Sequence, residues 1–487
     1  MRVFFIIYEI IKVNIVRDLF LIFTKVTNES YNFSIKIYRN IYIPRIGGKM
    51  KKILIAGTSS GAGKTTISTA IMGALEGVSP FKAGPDYIDP KFHEFVTKNP
   101  SNNLDLFMMG EEAVKYIFSK NAKKISVVEG VMGLYDGLNH ELDNYSSAHL
   151  SRVLDIPVIL VVSGKGTSTS IAATVLGFKN LDPRVKIRGV ILNNVGSEGL
   201  YNLLREGIER YTEIPCVGYF PKDDRVSIGE RHLGLQQASE IEDLNEKIEI
   251  LKDMARKYID LDKILEIAED GKDAVELKNP AEHLKDRFKG KRIGVAKDSA
   301  FSFYYSENLK LMEYTGMEIV EFSPTNDLHL PPNLDYIYLG GGYPEIFGKK
   351  LYGNTSMMED IRKVSKEMPI YAECGGFMYL TKGIKQLDGS FDPMCGLLDI
   401  KVEMKSRLNI KRFGYVDYET KDGISGRCHE FHYSDIYDAD ERNLYFELKK
   451  KNGRKWSCGY EKDRIIAGYP HIHFYGNLDV FVKLFDR

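Results

Sequence analysis

From Lys51 onward, short apolar runs recur along the chain, each closing on a small or polar residue and each followed by a stretch of helical spacing. KKILIAG, ISVVEG, PVILVVS and IRGVILNNV are runs of this kind. Apolar residues at successive positions, rather than alternate ones, predict strands buried on both faces. The intervening segments, such as 65–75 and 146–154, predict helices that cover those faces, and together they make an α/β layered domain with a parallel sheet. A second series begins at KRIGVAKD and continues through EIVEFSP, DYIYLGG and PIYAECG, with further β-like segments beyond. Between the two series the chain is charged and helical in pattern, with Asn279-Pro280 near its end. The expected division is a first domain over 50–245, a helical linker over 246–289 and a second α/β domain over 290–487. No repeat of solenoid period and no low-complexity tract interrupts this plan.

Residues 1–49 do not follow the pattern. Their opening run, MRVFFIIYEIIKVNIVRDLFLIF, is broken by Glu9, Lys12, Arg17 and Asp18, so no clean apolar span of ~20 residues exists to cross a membrane. No small-residue cleavage site of the signal-peptide type follows it. We expect 1–49 to be a non-native extension and the protein to begin at Met50, where MKKILIAG opens directly into the first strand.

The 487 residues suffice for two or three domains, and a composition 43% hydrophobic and 28% charged is that of an ordinary soluble chain. Lys plus Arg and Asp plus Glu are both 67, and this balance argues against nucleic acid or an anionic membrane as a partner. The five cysteines are scattered without a CxxC pair, which argues against a disulfide framework or structural zinc and fits a reducing cytoplasm.

Chemistry concentrates at the strand ends. The first strand runs into GTSSGAGKT, residues 57–65, a glycine-rich loop opening a helix. Backbone N–H groups of such a loop cradle phosphates, with Gly61, Gly63 and Thr66 shaping the cradle, Lys64 reaching the β/γ-phosphates and the Thr65 hydroxyl suited to Mg²⁺. The spacing from Gly57 to Lys64 departs by one residue from the commonest form. A Gly-rich turn without ligand is the bland alternative, and the strand before and helix after disfavour it. FKAGPDYIDP supplies Lys82, Asp86 and Asp89 on a proline-shaped loop at a strand's C-terminal edge, where open sheets bind ligands. ISVVEGVMGLYDG places Glu129 at the end of an apolar strand, a position suited to a Mg²⁺-associated carboxylate, with Asp136 on the loop beyond. Solvated surface acids are the bland reading of Asp86, Asp89 and Asp136.

In the second half, PIYAECGGFMYL is a strand, a sharp turn and a helix, with Cys374 at the helix N-terminus. That is a nucleophile elbow with sulfur in place of hydroxyl, and the helix dipole favours thiolate there. The glycines of DYIYLGGGYPE, Gly341 and Gly342, together with Gly375, could present N–H groups as an oxyanion hole. GYPHIHF offers His471 and His473 as bases, and on a strand both would point the same way. A Cys–His pair is what attack on a glutamine amide requires.

FKAGPDYIDP, EGVMGLYDG, ERHLGL, YLGGGYPE, YAECGGFMYL, CHEFHYS and GYPHIHF together resemble the cobyrinate a,c-diamide synthase family, whose nickel-sirohydrochlorin a,c-diamide synthase relatives look the same at this level. The resemblance runs from about Met50 to the C-terminus. It implies a P-loop domain of the dethiobiotin-synthetase-like kind, followed by a class I glutamine amidotransferase domain. It implies ATP as co-substrate, Mg²⁺, and glutamine plus a tetrapyrrole as substrates, with a homodimer admissible. It implies Cys374 as nucleophile and His471 as its activating base. It implies Asp86, Asp89, Glu129 and Asp136 around metal, phosphate and substrate carboxylate, and Asn193 placed to read adenine. The triad acid expected two residues after the histidine is absent, since His473 stands there, and Cys428 replaces an expected glycine before HEFHYS. The competing readings are another two-module amidoligase, such as a cobyric acid synthase or a cell-wall amidotransferase, and a P-loop switch ATPase. The last is disfavoured because Ser59 stands where partition ATPases carry a lysine.

Overall fold

The computed structural model describes residues 50–226, 238–269, 277–439 and 443–486. The expected extension over 1–49 and the ERHLGL motif at 230–235 lie outside the described residues. Among the described residues no helix is long and apolar enough to cross a membrane.

The first series forms a seven-stranded sheet of β1 (Lys51–Gly57), β2 (Val78–Ala83), β3 (Asn102–Leu104), β4 (Ile125–Gly133), β5 (Val158–Ser163), β6 (Ile187–Asn193) and β7 (Cys216–Phe220). The spatial order is β3-β2-β4-β1-β5-β6-β7, and every pairing is parallel. Central β1 is buried from Lys52 to Gly57 because helices cover both faces of the sheet, which explains why its sequence reads as a continuous apolar run. The strand order places the C-terminal ends of β1, β2 and β4 side by side. β1 and β2 lead into the glycine loop and the Asp86–Asp89 loop, while Glu129, expected at a strand end, lies within β4 and pairs in register with Lys82 of β2.

Helix α1 (Lys64–Ala74) follows the glycine loop, and α2 (Asp89–Thr97) follows the loop after β2. The helix Ala238–Tyr258 packs against α1. Its Ile248, Leu251 and Met254 join Ile53, Ile55 and Ile71 in one buried cluster, as do Ile264 and Ile267 of the next helix. The helical part of the segment expected as a linker is therefore a layer of the first domain. Its apolar residues recur at helical spacing and have a sheet face to bury.

The second series contributes β8 (Arg292–Ala296), β9 (Phe301–Phe303), β10 (Glu318–Phe322), β11 (Tyr336–Leu339), β12 (Gly341–Gly342) and β13 (Ile370–Glu373). A nine-stranded sheet runs β10-β8-β11-β13 in parallel and continues into strand Ile465–Gly468, also parallel to β13. Beyond that strand the sheet becomes antiparallel through Lys455–Lys462, Leu444–Lys449, Gly414–Thr420 and Ser425–Glu430. The strands next to β13 lead into the residues that surround its end: β11 into Gly341 and Gly342, Ile465–Gly468 into His471.

Candidate active site

At the end of β1 the glycine loop turns on Gly63, whose φ of 95° lies in the left-handed region that favours glycine. A Cβ there would stand 2.0 Å from Nδ2 of Asn193, so the position is closed to larger residues. That same Nδ2 donates to the Ala62 carbonyl at 2.9 Å. Asn193, expected to read adenine, thus holds the loop itself. Gly61 is exposed at the loop's tip, and Thr66 follows Thr65 in the first turn of α1.

Beneath the loop lies a buried ionic network. The Thr65 hydroxyl donates to Oε1 of Glu129 at 2.6 Å and stands 3.5 Å from Oδ2 of Asp89. Lys82 bridges the two carboxylates, with Nζ 2.5 Å from Asp89 and 3.0 Å from Glu129. Glu129 is 0% exposed, and its other oxygen lies 2.7 Å from Nε2 of His93. Burial opposes the charge on Glu129, but Lys82 and the His93 hydrogen bond overcome it and hold the carboxyl below its usual range. Lys82, also desolvated, is held well above the usual lysine range by Glu129 and Asp89. Asp89 is pushed upward by burial and by the neighbouring Glu129. Lys64 is pushed downward by burial and by Lys82, and its Nζ donates to the Ser59 carbonyl at 3.3 Å.

Asp86 and Asp136 stand differently. Oδ1 of Asp86 accepts from the backbone of Ile88 at 2.7 Å and Asp89 at 3.3 Å, so it fixes the loop that delivers Asp89. Oδ2 of Asp136 accepts from the Gly133 backbone at 2.9 Å. His93 is not among the residues the sequence singles out, because the partner that gives it a role, Glu129, lies on another strand.

In the second sheet, Cys374 follows β13 with φ 47° and ψ −102° and caps the short helix Gly375–Leu380. A non-glycine residue held at positive φ stores backbone strain, the signature of an elbow that projects its side chain. The Cys374 thiol donates to the Phe431 carbonyl at 3.9 Å, and His471 lies near enough to the sulfur to feel its charge. Burial opposes charge on His471, but the Cys374 sulfur and Glu373 reverse that effect, and its pKa is pushed up to about 10. Glycines crowd this centre: a Cβ on Gly341 would stand 2.6 Å from Cε1 of His471, and one on Gly375 would stand 2.9 Å from the Gly342 nitrogen.

His473 does not share the centre. The segment is an isolated bridge, in which His471 pairs with His429, followed by a 3₁₀ turn, so the two rings diverge. The His473 ring packs 5.0 Å from Tyr305, neither of its nitrogens has a hydrogen bond, and burial pushes its pKa down to about 3. His432 stacks on Tyr469 at 3.7 Å, and its Nδ1 hydrogen-bonds with the Ser434 carbonyl at 2.7 Å.

One ring joins the two centres. Tyr87, between Asp86 and Asp89, stacks on Phe303 at 5.1 Å and Tyr305 at 4.6 Å, and its ring centroid is 5.2 Å from that of His471. A loop of the nucleotide half therefore ends against the cysteine centre of the other half.

A phosphate-cradling parallel sheet joined to a Cys–His elbow defines a class: glutamine amidotransferases fused to a P-loop domain. Residues 53–235 match the CobQ/CobB/MinD/ParA nucleotide binding domain, and residues 292–478 match the CobB/CobQ-like glutamine amidotransferase domain. A cobyrinate a,c-diamide synthase of Fusobacterium nucleatum subsp. nucleatum is 51% identical over 445 residues, spanning 90% of this chain and 100% of the relative. Proteins of the same name from Caldanaerobacter subterraneus subsp. tengcongensis and Clostridium tetani are each 43% identical, over 89% and 90% of this chain and 97% and 100% of theirs. The chain belongs to the cobyrinate a,c-diamide synthase family and is an enzyme, a glutamine-hydrolysing carbon–nitrogen ligase.

Proposed function

We propose that the chain converts the a and c acetate carboxylates of a tetrapyrrole, cobyrinate or nickel-sirohydrochlorin, to amides, using ATP and ammonia released from glutamine. The observation that carries this reading is the single loop, Asp86–Asp89, that supplies Asp89 to the Lys82–Glu129 network and Tyr87 to the face of His471.

At the cysteine centre, His471 takes the Cys374 proton, and the thiolate attacks the glutamine amide. His471 returns the proton to the departing ammonia, and water hydrolyses the thioester to glutamate. N–H groups of Gly341, Gly342 and Gly375 face the developing oxyanion. At the phosphate loop, the substrate carboxylate takes the terminal phosphoryl group of ATP, because an acyl phosphate has the leaving group that a free carboxylate lacks. Lys64 and Lys82 offset the transferred charge, and Asp86, Asp89 and Asp136 shape the carboxylate's approach. Ammonia then displaces phosphate, and two rounds give the diamide.

Mg²⁺ fits the residues present: Thr65 and Glu129 offer hard oxygen donors 2.6 Å apart, and this ion needs only one or two protein ligands beside phosphates and water. When bound, it neutralises phosphate charge.

Cys374→Ala is expected to abolish glutamine-driven amidation and retain amidation from added ammonia, while Lys64→Ala is expected to lose both. The assay is diamide formation from each tetrapyrrole, side by side, with glutamine or ammonium chloride. Loss of both activities in Cys374→Ala, or turnover near native in Lys64→Ala, would refute this division of labour.

A further inference from the structure

The position two residues after His471 holds His473, which faces Tyr305, so the local sequence supplies no acid to orient the base. A carboxylate nevertheless reaches it from the other side. Oε2 of Glu373, the residue before the nucleophile, lies 3.6 Å from Nδ1 of His471, and the two side chains are 1% and 3% exposed. This is an ionic contact slightly longer than a hydrogen bond, and Nδ1 makes no other hydrogen bond.

Glu373 is itself held on three sides. Its Oε2 accepts from the Tyr338 hydroxyl at 3.0 Å, and its Oε1 accepts from the Tyr371 hydroxyl at 2.8 Å and from the Ile472 backbone at 3.2 Å. Burial and the nearby Glu373 charge push both phenols well above the usual tyrosine range, so they remain donors. The Ile472 contact ties the carboxylate to the residue directly after His471. The elbow explains how neighbours in sequence serve one imidazole. Successive side chains on a strand point to opposite faces, but the positive φ at Cys374 breaks the alternation. Glu373 meets the ring at Nδ1, so Nε2 is the nitrogen not taken up by the carboxylate.

We propose that Glu373 is the positioning acid of the cysteine centre: it fixes the tautomer and orientation of His471 and stabilises the imidazolium that forms when Cys374 is deprotonated. This rests on the reading of Cys374 and His471 given above. A carboxylate so placed completes the orienting logic of a nucleophile–base–acid triad, with the acid drawn from the strand before the nucleophile rather than from the segment after the base.

The test is Glu373→Gln, which keeps the shape and an amide oxygen for the hydroxyl donors but removes the charge. Glutamine hydrolysis is expected to fall roughly 10²-fold or more in kcat/KM. The pH midpoint for alkylation of Cys374 by iodoacetamide is expected to rise by about one unit or more. A structural role alone would not move that midpoint, and an unchanged midpoint overturns the proposal. Ammonia-driven amidation, which bypasses this centre, reports folding. Where Glu373→Gln does not fold, Glu373→Asp carries the test. Withdrawing the carboxylate from Nδ1 by one methylene is expected to slow glutamine hydrolysis roughly 10-fold or more, and hydrolysis at the native rate overturns the proposal. Cys374→Ala separates the two ideas: glutamine hydrolysis surviving that change defeats the cysteine reading itself, whereas its loss with a native alkylation profile in Glu373→Gln defeats only the role of Glu373.

Discussion

His471 and His473 are both buried and lie two positions apart, yet their surroundings give them opposite charge behaviour. His473 is pushed down to about 3 by burial, whereas a histidine in the unfolded chain takes its proton near about 6.5. Between those values the unfolded state binds more protons, so acidification through the window lowers stability, by up to about 1.4 kcal/mol per pH unit. His473→Phe fills the space with a ring that cannot charge. Its urea-unfolding free energy is expected to fall less between pH 6.5 and 4.5 than that of the native chain, and equal falls would count against this account. For His471, raised to about 10, the sign reverses: its contribution is complete below about 6.5 and is lost as pH rises through about 10. At this scale the sequence was partly legible. Cys374, Lys64 and Thr65 stand in strand–turn–helix settings that name a chemistry, and Lys82, Asp89, Glu129 and His471 lie in or just beyond apolar strands, where such chemistry gathers. The roles of His93 and Glu373 were not legible, because a carboxylate beside a nucleophile and a histidine inside a helix acquire meaning only from neighbours distant in sequence. The contact of Asn193 with the Ala62 carbonyl was illegible for the same reason, since that carbonyl lies on another strand's loop.

Elements carry the functional residues by ending in the right place, and some are held there by a single side chain. The segment with His471 and His473 has little regular structure of its own. Asn308, fully buried on the helix Ser306–Tyr314, accepts from the Phe474 backbone at 2.8 Å and donates to the Ile472 carbonyl at 2.7 Å. Asn308→Ala leaves that N–H and carbonyl buried without this partner, at a cost of about 1–3 kcal/mol for each group left unsatisfied. The expected result is a lower denaturation midpoint and a marked loss of glutamine hydrolysis, with ammonia-driven amidation less affected. A purely global effect would lower both activities together. Strands and helices were legible here because apolar runs and helical spacing are local patterns. Their neighbours were not: nothing in KKILIAG says that β4 and β5 flank it. The helix Ala238–Tyr258 reads as a charged connector until the sheet face that buries Ile248 and Leu251 is known.

Across the whole described chain, one apolar cluster runs through both halves, from Leu54 and Leu160 to Ile337 and Phe474. Polar contacts fasten the same boundary. The Tyr415 hydroxyl donates to Oδ2 of Asp105 at 2.6 Å, Lys310 reaches Oδ1 of Asn102 at 2.9 Å and Oδ1 of Asn121 at 3.1 Å, and Asn477 reaches the Met108 carbonyl at 3.4 Å. Asp105 is raised by burial, against the Tyr415 hydrogen bond, which favours its charged form. Tyr415→Phe removes that donor and strands a buried carboxylate oxygen. The expected cost is about 1–3 kcal/mol, read from the denaturant midpoint, and it should shrink at a pH low enough to protonate Asp105. An unchanged midpoint would show that the contact contributes nothing to holding the halves together. Two domains were legible from the two α/β series, but their fusion around a shared core was not, since no segment advertises a partner hundreds of residues away.

Tyr87 bears on how freely the two halves could be exchanged. Its ring belongs by sequence to the nucleotide half and by packing to Phe303, Tyr305 and His471 of the other. A different glutaminase grafted onto this P-loop half would keep the loop's packing only where it offered the same aromatic berth. A change of side chain at Tyr87 is thereby felt at Phe303 and Tyr305, more than two hundred residues along the chain.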